Sequence, residues 1–263
     1  MTRRIELLAA FALITVVCGC ANTNTGSEST NYAPKTVTDT DEISRARIHT
    51  ELAAGYLELG NYGVSLQEAG EALKADPNYA PAFSVLGLVY MELRDDRAAE
   101  ANFQRALRIS PQDSDVNNNF GWFLCQRKRE QESIKYFLVA LKNPLYPTPD
   151  KSWVNAGVCA RQAGDIAAAD DYFQKALKVR PGQPQALLQL ADMAYKRKSY
   201  PEAKSYLMRI QREVEPTPEY LWLSLRVERA LGDRNAEGSL GFQLRKNFPE
   251  SREARALAAG QYE

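Results

Sequence analysis

From about residue 46 onward the chain repeats a pattern of large and small apolar positions set among polar ones. In the clearest stretch, from Ala80 to Asp113, the apolar set is Phe83, Leu86, Gly87 and Tyr90, then Ala99, Phe103 and Ala106, closed by Pro111. Steps of three and four residues place each set on one face of a helix. The polar run Arg94-Asp95-Asp96 divides the stretch into two helices, and Pro111 stops the second because it offers no N–H and cannot extend a helix. The prolines of Asp76-Pro77 and Ser110-Pro111 lie 34 residues apart, and that of Arg180-Pro181 lies 70 further on, two repeats plus two residues. One helix pair of this length cannot bury its own apolar face, so neighbouring units must stack.

The other units follow the same register. The first carries Leu52, Ala53, Tyr56, Ala69, Ala72 and Pro77, with Ser65 where Ala is usual. The third, from Ser114, carries Phe120, Gly121, Leu124, Phe137 and Ala140; the fourth carries Trp153, Gly157, Ala169, Phe173, Ala176 and Pro181. The fifth carries Leu187, Leu190, Ala191, Ala203 and Leu207. In the sixth, read from Glu219, Trp222, Leu225 and Phe242 are the expected packing residues, although Pro249 then falls one place early. Small residues at positions 8, 20 and 27 let two helices approach, and large ones at 4, 7, 11 and 24 fill the space between them. This pattern resembles the tetratricopeptide repeat. The resemblance implies an all-α fold, a right-handed superhelical solenoid of about six antiparallel helix pairs. The repeats are expected at about 46–79, 80–113, 114–149, 150–183, 184–217 and 218–250, with a capping helix in 251–263. The third repeat ends in Asn-Pro-Leu-Tyr-Pro-Thr-Pro, residues 143–149, which holds the two-residue insertion and is expected to loosen the stacking of repeats three and four.

The N-terminus reads as an address. Arg3 and Arg4 precede an apolar run, Leu7 to Val17, broken only by Thr15. It is too short to span a bilayer, which takes about 20 apolar residues, and fits a secretory signal over residues 1–19. Its exit, Val17-Cys18-Gly19-Cys20, resembles the bacterial lipobox. That resemblance implies cleavage before Cys20, lipid on the Cys20 thiol and on the new amino terminus, and, with Ala21 rather than Asp next, sorting to the outer membrane. The alternative is an ordinary cleaved signal with incidental cysteines. Residues 20–42 are then the anchor and a polar tether, too poor in large apolar side chains to pack a core, and 43–263 the repeat domain.

Charge and composition narrow the chemistry. With 33 basic and 33 acidic residues the chain has no net charge, which gives no argument for nucleic-acid binding. His49 is the single histidine, so multi-histidine metal sites are excluded and any triad would have to be built on it; at position 4 of the first repeat it reads as a half-buried packing residue. The acidic pairs Asp95-Asp96 and Asp170-Asp171, and the basic runs Arg127-Lys128-Arg129 and Lys196-Arg197-Lys198, read as solvated surface. No catalytic residue, metal ligand or cofactor is expected beyond covalent lipid on Cys20. Cys125 and Cys159 fall late in the inner helices of repeats three and four, which places them to form a disulfide in an exported protein; the alternative is two buried free thiols.

In such arrays the inner helices line a concave groove with positions 2, 5, 9 and 12. For the first three repeats the last three of these positions give Thr50, Ala54 and Leu57, then Ser84, Leu88 and Met91, then Asn118, Trp122 and Cys125. The floor is apolar, suited to an amphipathic helix or an extended segment of a protein partner. Asn119 and Asn155 share position 6, but lack the basic partners that would make them a clamp for a peptide carboxylate.

The lipobox, the tether, the repeats, the segment ARIHTELAAGYLELGNY, the insertion NPLYPTP and the cysteine pair together resemble the type IV pilus biogenesis lipoproteins called PilF or PilW. The resemblance implies a non-enzymatic pilotin, a monomer lipid-anchored on the periplasmic face of the outer membrane. It would bind the secretin of the pilus system and promote the localisation and multimerisation of that pore, with no nucleic-acid or small-molecule partner. The alternative is a periplasmic lipoprotein scaffold for cell-wall enzymes or outer-membrane protein assembly.

Overall fold

The computed structural model describes residues 41–210 and 215–262. The signal segment, the lipobox with Cys20 and nearly all of the tether lie outside them. The described residues form thirteen helices and no strand. Twelve helices make six pairs: α1 (Asp41–Glu58) with α2 (Tyr62–Ala75), α3 (Ala80–Glu92) with α4 (Asp96–Ile109), α5 (Ser114–Gln126) with α6 (Glu130–Ala140), α7 (Pro149–Gln162) with α8 (Ile166–Val179), α9 (Pro184–Lys196) with α10 (Tyr200–Ile210), and α11 (Pro218–Leu231) with α12 (Arg234–Asn247). The short α13 (Arg252–Ala258) ends the stack, capped by the Ser251 side chain on the Ala254 N–H.

Each pair turns the same way because the turn chemistry recurs. One residue per turn sits in the left-handed region: Gly60, Arg94, Lys128, Gly164, Lys198 and Gly232, with φ between 60° and 83°. The next residue caps the second helix in four repeats, where Asn61, Asp95, Asp165 and Asp233 accept the backbone N–H three residues on. In the third repeat Arg129 holds that place without a side-chain cap and instead reaches Glu100 and Glu132, at 2.8 and 2.9 Å.

Small-to-large packing closes the pairs. Gly87, Gly121 and Gly157 face the rings of Phe103, Phe137 and Phe173, each ring fully buried. A Cβ on any of these glycines would lie 2.6–2.8 Å from the nearest ring atom, so only glycine lets the helices meet at this distance. Where Ser65 replaces Ala in the first repeat, its hydroxyl donates to the Ala53 carbonyl across the pair, at 2.7 Å. The sixth repeat corrects the sequence reading. Its register starts at Pro218 rather than Glu219, which restores Pro249 to place. Leu221, Leu225 and Leu244 are then buried, Trp222 is half-buried, and Phe242 is 59% exposed. The size pattern is also reversed: Leu225 stands at the usual glycine position and Gly241 at the usual Phe position, and the two pack together.

The backbone of each odd-numbered helix closely approaches the next odd-numbered one, whereas successive even-numbered helices up to α12 stay further apart and meet only through side chains, as where Gln174 donates to Tyr206 at 3.1 Å. The odd helices therefore form the shorter, inner side of the stack. Leu52 departs from expectation: it is 44% exposed, because no repeat among the described residues precedes α1 to cover it. The insertion is itself packed. Tyr146 is 5% exposed, its hydroxyl lies 3.4 Å from Ser152 Oγ, and burial pushes its phenol above the usual tyrosine range, so the extra residues plug the joint between repeats three and four.

Candidate functional site

Leu57 from α1, Leu88 and Met91 from α3 and Trp122 from α5 converge on the inner face. With Tyr62, Glu58 and Glu92 they line a shallow depression of about 430 Å³. Each apolar member is half-buried and supported from below. Leu57 rests on Ala53, Ala69, Val85 and Val89. Leu88 and Met91 rest on Phe103, Phe120, Phe123 and Leu124. Trp122 rests on Phe137 and the Cys125–Cys159 pair. Such side chains keep one face packed and offer the other to a partner, which gives contact area at low cost in side-chain entropy. The rim is fixed by Arg127, whose Nε donates to Asp96 Oδ1 at 2.6 Å while its guanidinium lies 5.3 Å from the Phe123 ring centroid. That hydrogen bond holds the Asp96 carboxyl below the usual carboxylate range.

Four other sequence-assigned groove residues are engaged inside the fold. Thr50 is 7% exposed because its hydroxyl donates to the Ala46 carbonyl on its own helix, at 2.7 Å. Ser84 is 3% exposed and accepts from Asn119 Nδ2 at 3.2 Å. Ala54 packs against the first-repeat core. Asn118 Oδ1 accepts from Ser152 Oγ at 2.8 Å and from Asn155 Nδ2 at 3.0 Å. Thr50 and Ser84 therefore do not line an open groove, and Asn118, Asn119 and Asn155 are ties between repeats two, three and four. Ser84 and Asn118 are short enough to stay within reach of the neighbouring inner helix and bond to it, whereas Thr50 turns back onto its own.

Cys125 on α5 and Cys159 on α7 are joined by a disulfide, with Cα atoms 5.8 Å apart. His49 Nδ1 lies 2.7 Å from Glu68 Oε2, an outer-helix partner. Asp171 pairs with Lys175 at 2.7 Å, and Arg197 with Glu202 at 3.3 Å. Among the described residues no group of three His, Cys, Asp or Glu side chains is placed to hold a metal ion, and no helix is long and apolar enough to cross a membrane.

Tyr62 was missed from sequence. It is the first residue of α2, two places after the left-handed Gly60, so the turn chemistry that starts the second helix also swings this ring to the groove edge. Also missed was the far end of the same surface. The register that picked Leu88 and Trp122, carried on through repeats four to six, picks Arg161, Leu188, Asp192, Trp222 and Arg226, which line a second depression.

Stacked helix pairs of this length, with a side-chain-lined inner face, define a tetratricopeptide repeat protein, and family profiles of that repeat match residues 50–114, 85–148 and 160–224. The type IV pilus assembly protein PilF of Pseudomonas aeruginosa is 31% identical over 225 residues, covering 86% of this chain and 88% of that relative. The crystal structure of PilW, a widely conserved type IV pilus biogenesis factor, matches with a TM-score of 0.72 at 33% identity, over 81% of this chain and 98% of that one. A solved structure of P. aeruginosa PilF matches with a TM-score of 0.73 at 29% identity, over 83% and 99%. The chain belongs to the PilF/PilW family of tetratricopeptide repeat proteins.

Proposed function

We propose that this chain is a pilotin of a type IV pilus system, acting by binding and not by catalysis. The observation that carries this reading is the coincidence of membership in a family of pilus biogenesis factors, over most of the chain, with an apolar, pre-packed patch in repeats one to three. In this reading Cys20 carries lipid at the outer membrane. Two or more acyl chains hold a protein stably where one does not. The roughly 20 tether residues would span at most about 70 Å when extended. The repeats then search a small volume beneath the bilayer. A secretin segment with an apolar face, helical or extended, lies against Leu57, Leu88, Met91 and Trp122 and buries them. Holding subunits near one surface raises their effective concentration and favours ring assembly without any further contact.

The test is a blot for heat-resistant secretin multimers in outer-membrane fractions of cells with the intact gene, no gene, Cys20→Ala, or Leu88→Asp with Met91→Asp. The reading expects loss of multimers without the gene, relocation to the inner membrane with Cys20→Ala, and loss with the double groove variant at normal protein level. Normal multimers in all four strains would refute it, and would favour a scaffold for cell-wall enzymes or outer-membrane protein assembly.

A further inference from the structure

The second inner-face depression, about 730 Å³ in volume, lies between α7, α9 and α11 and is bordered by α13. That volume falls within the range of about 300–1,000 Å³ usual for ligand pockets. Its charged groups are of two kinds. Arg161 is spent within the fold: it donates to Gln189 and pairs with Asp192, which Lys196 also reaches at 3.1 Å. Arg226 is not. Its guanidinium carbon lies 4.8 Å from the Tyr195 ring centroid and 5.6 Å from that of Trp222. Its Nε is buried without a hydrogen-bond partner, and among the described residues it makes no ion pair. Rings against its faces fix the guanidinium plane. The buried Nε is out of a ligand's reach; the terminal nitrogens, a second pair able to grip a carboxylate in a fork, make no ion pair among the described residues.

We propose that this C-terminal pocket binds an acidic peptide segment, one carboxylate on the edge of Arg226 and an adjoining apolar side chain against Trp222 and Leu188. Trp222 supplies a half-buried aromatic wall and Arg252 a second cation on the rim. Glu219, Glu253 and Asp192 line the same depression. Their charge disfavours a polyphosphate or an anionic bilayer more than a ligand that brings a single carboxylate. The carboxylate comes either from an acidic side chain or from a chain terminus. The site is independent of the groove in repeats one to three, and of which partner that groove holds.

The experiment uses the purified full chain in detergent and two random hexapeptide bead libraries, one with free C-terminal carboxylates and one amidated, with vesicles containing phosphatidylglycerol as a third probe. The wild-type protein should capture peptides enriched in a carboxylate next to an apolar residue. Enrichment in the amidated library assigns the carboxylate to a side chain, and enrichment confined to the free-acid library assigns it to the terminus. Arg226→Gln should weaken binding of a captured peptide by about tenfold or more. Arg252→Gln, on the exposed rim where folding does not depend on it, should weaken it by about threefold. Leu88→Asp should leave it unchanged. Capture without carboxylate enrichment, equal binding by both arginine variants, loss of capture in Leu88→Asp, or binding to the vesicles alone would each overturn the proposal.

Discussion

Gly157→Ala tests the packing logic of the array most sharply. Alanine in place of glycine inside a helix is favourable by about 1 kcal/mol through backbone entropy. Gly70 in α2 has nothing within 4 Å of the site where a Cβ would stand, so Gly70→Ala should raise stability by about 0.5–1 kcal/mol. At Gly157 the same Cβ would stand 2.6, 2.7 and 2.9 Å from three ring atoms of Phe173. Carbon atoms pack comfortably at about 3.5–4.0 Å, and the Phe173 ring is fully buried with no solvent to move into. Overpacking costs about 1–3 kcal/mol; the upper part of that range, less the helix gain, leaves a net loss of about 1–2 kcal/mol. The fifth repeat supplies the remedy, because Ala191 there faces Leu207, both buried. Phe173→Leu on its own should cost about 1–2 kcal/mol of lost packing, and the double variant should be more stable than the sum of the two by at least about 1 kcal/mol. Urea unfolding followed by far-UV circular dichroism reads the parent and the four variants. A Gly157→Ala protein as stable as Gly70→Ala, or a pair of effects that simply add, would refute the reasoning.

Three further outcomes follow from the turns and the inter-repeat joint. Lys128→Gly and Lys198→Gly should each stabilise by about 0.5–1 kcal/mol, because both residues hold a left-handed φ, 60° and 62°, which a side chain disfavours; thermal melts check this, and the two gains should add. Asp165→Ala removes the cap on the Ala168 N–H and should cost about 1 kcal/mol in the same assay. Replacing Cys125 and Cys159 by serine opens a crosslink between residues 34 apart and should cost about 3–4 kcal/mol, with reductant producing the same loss in the parent protein and none in the variant.

Much of the architecture was legible in the sequence because it rests on a few steric rules. Gly87 with Phe103 and Gly157 with Phe173 announce a close helix pair, and the proline that ends each unit fixes the period. The sixth repeat was misread because it obeys the same rule with the sizes exchanged: a reader looking for a large residue at position 24 takes Phe242, whereas Gly241 fills that place against Leu225. The apolar patch was legible in Leu57, Leu88, Met91 and Trp122, whose size keeps part of each side chain outside the core. Thr50, Ser84 and Asn118 were not, because a short polar group at an inner-face position faces solvent, turns back onto its own helix as Thr50 does, or bonds to the next helix as Ser84 and Asn118 do, and register alone does not choose between them. The arginine pocket followed the same register and was overlooked only because the reading of the groove stopped at the third repeat.

The disulfide between α5 and α7 lies on the inner rim, beside the one place where the repeat period is interrupted. A stack of this kind bends like a leaf spring, and flattening it requires the inner rim to lengthen. At this joint a covalent bond opposes the lengthening, and Tyr146 fills the space a tighter bend would need. The crosslinked joint thereby divides the inner face in two, three repeats with the apolar patch on one side and three with the arginine pocket on the other.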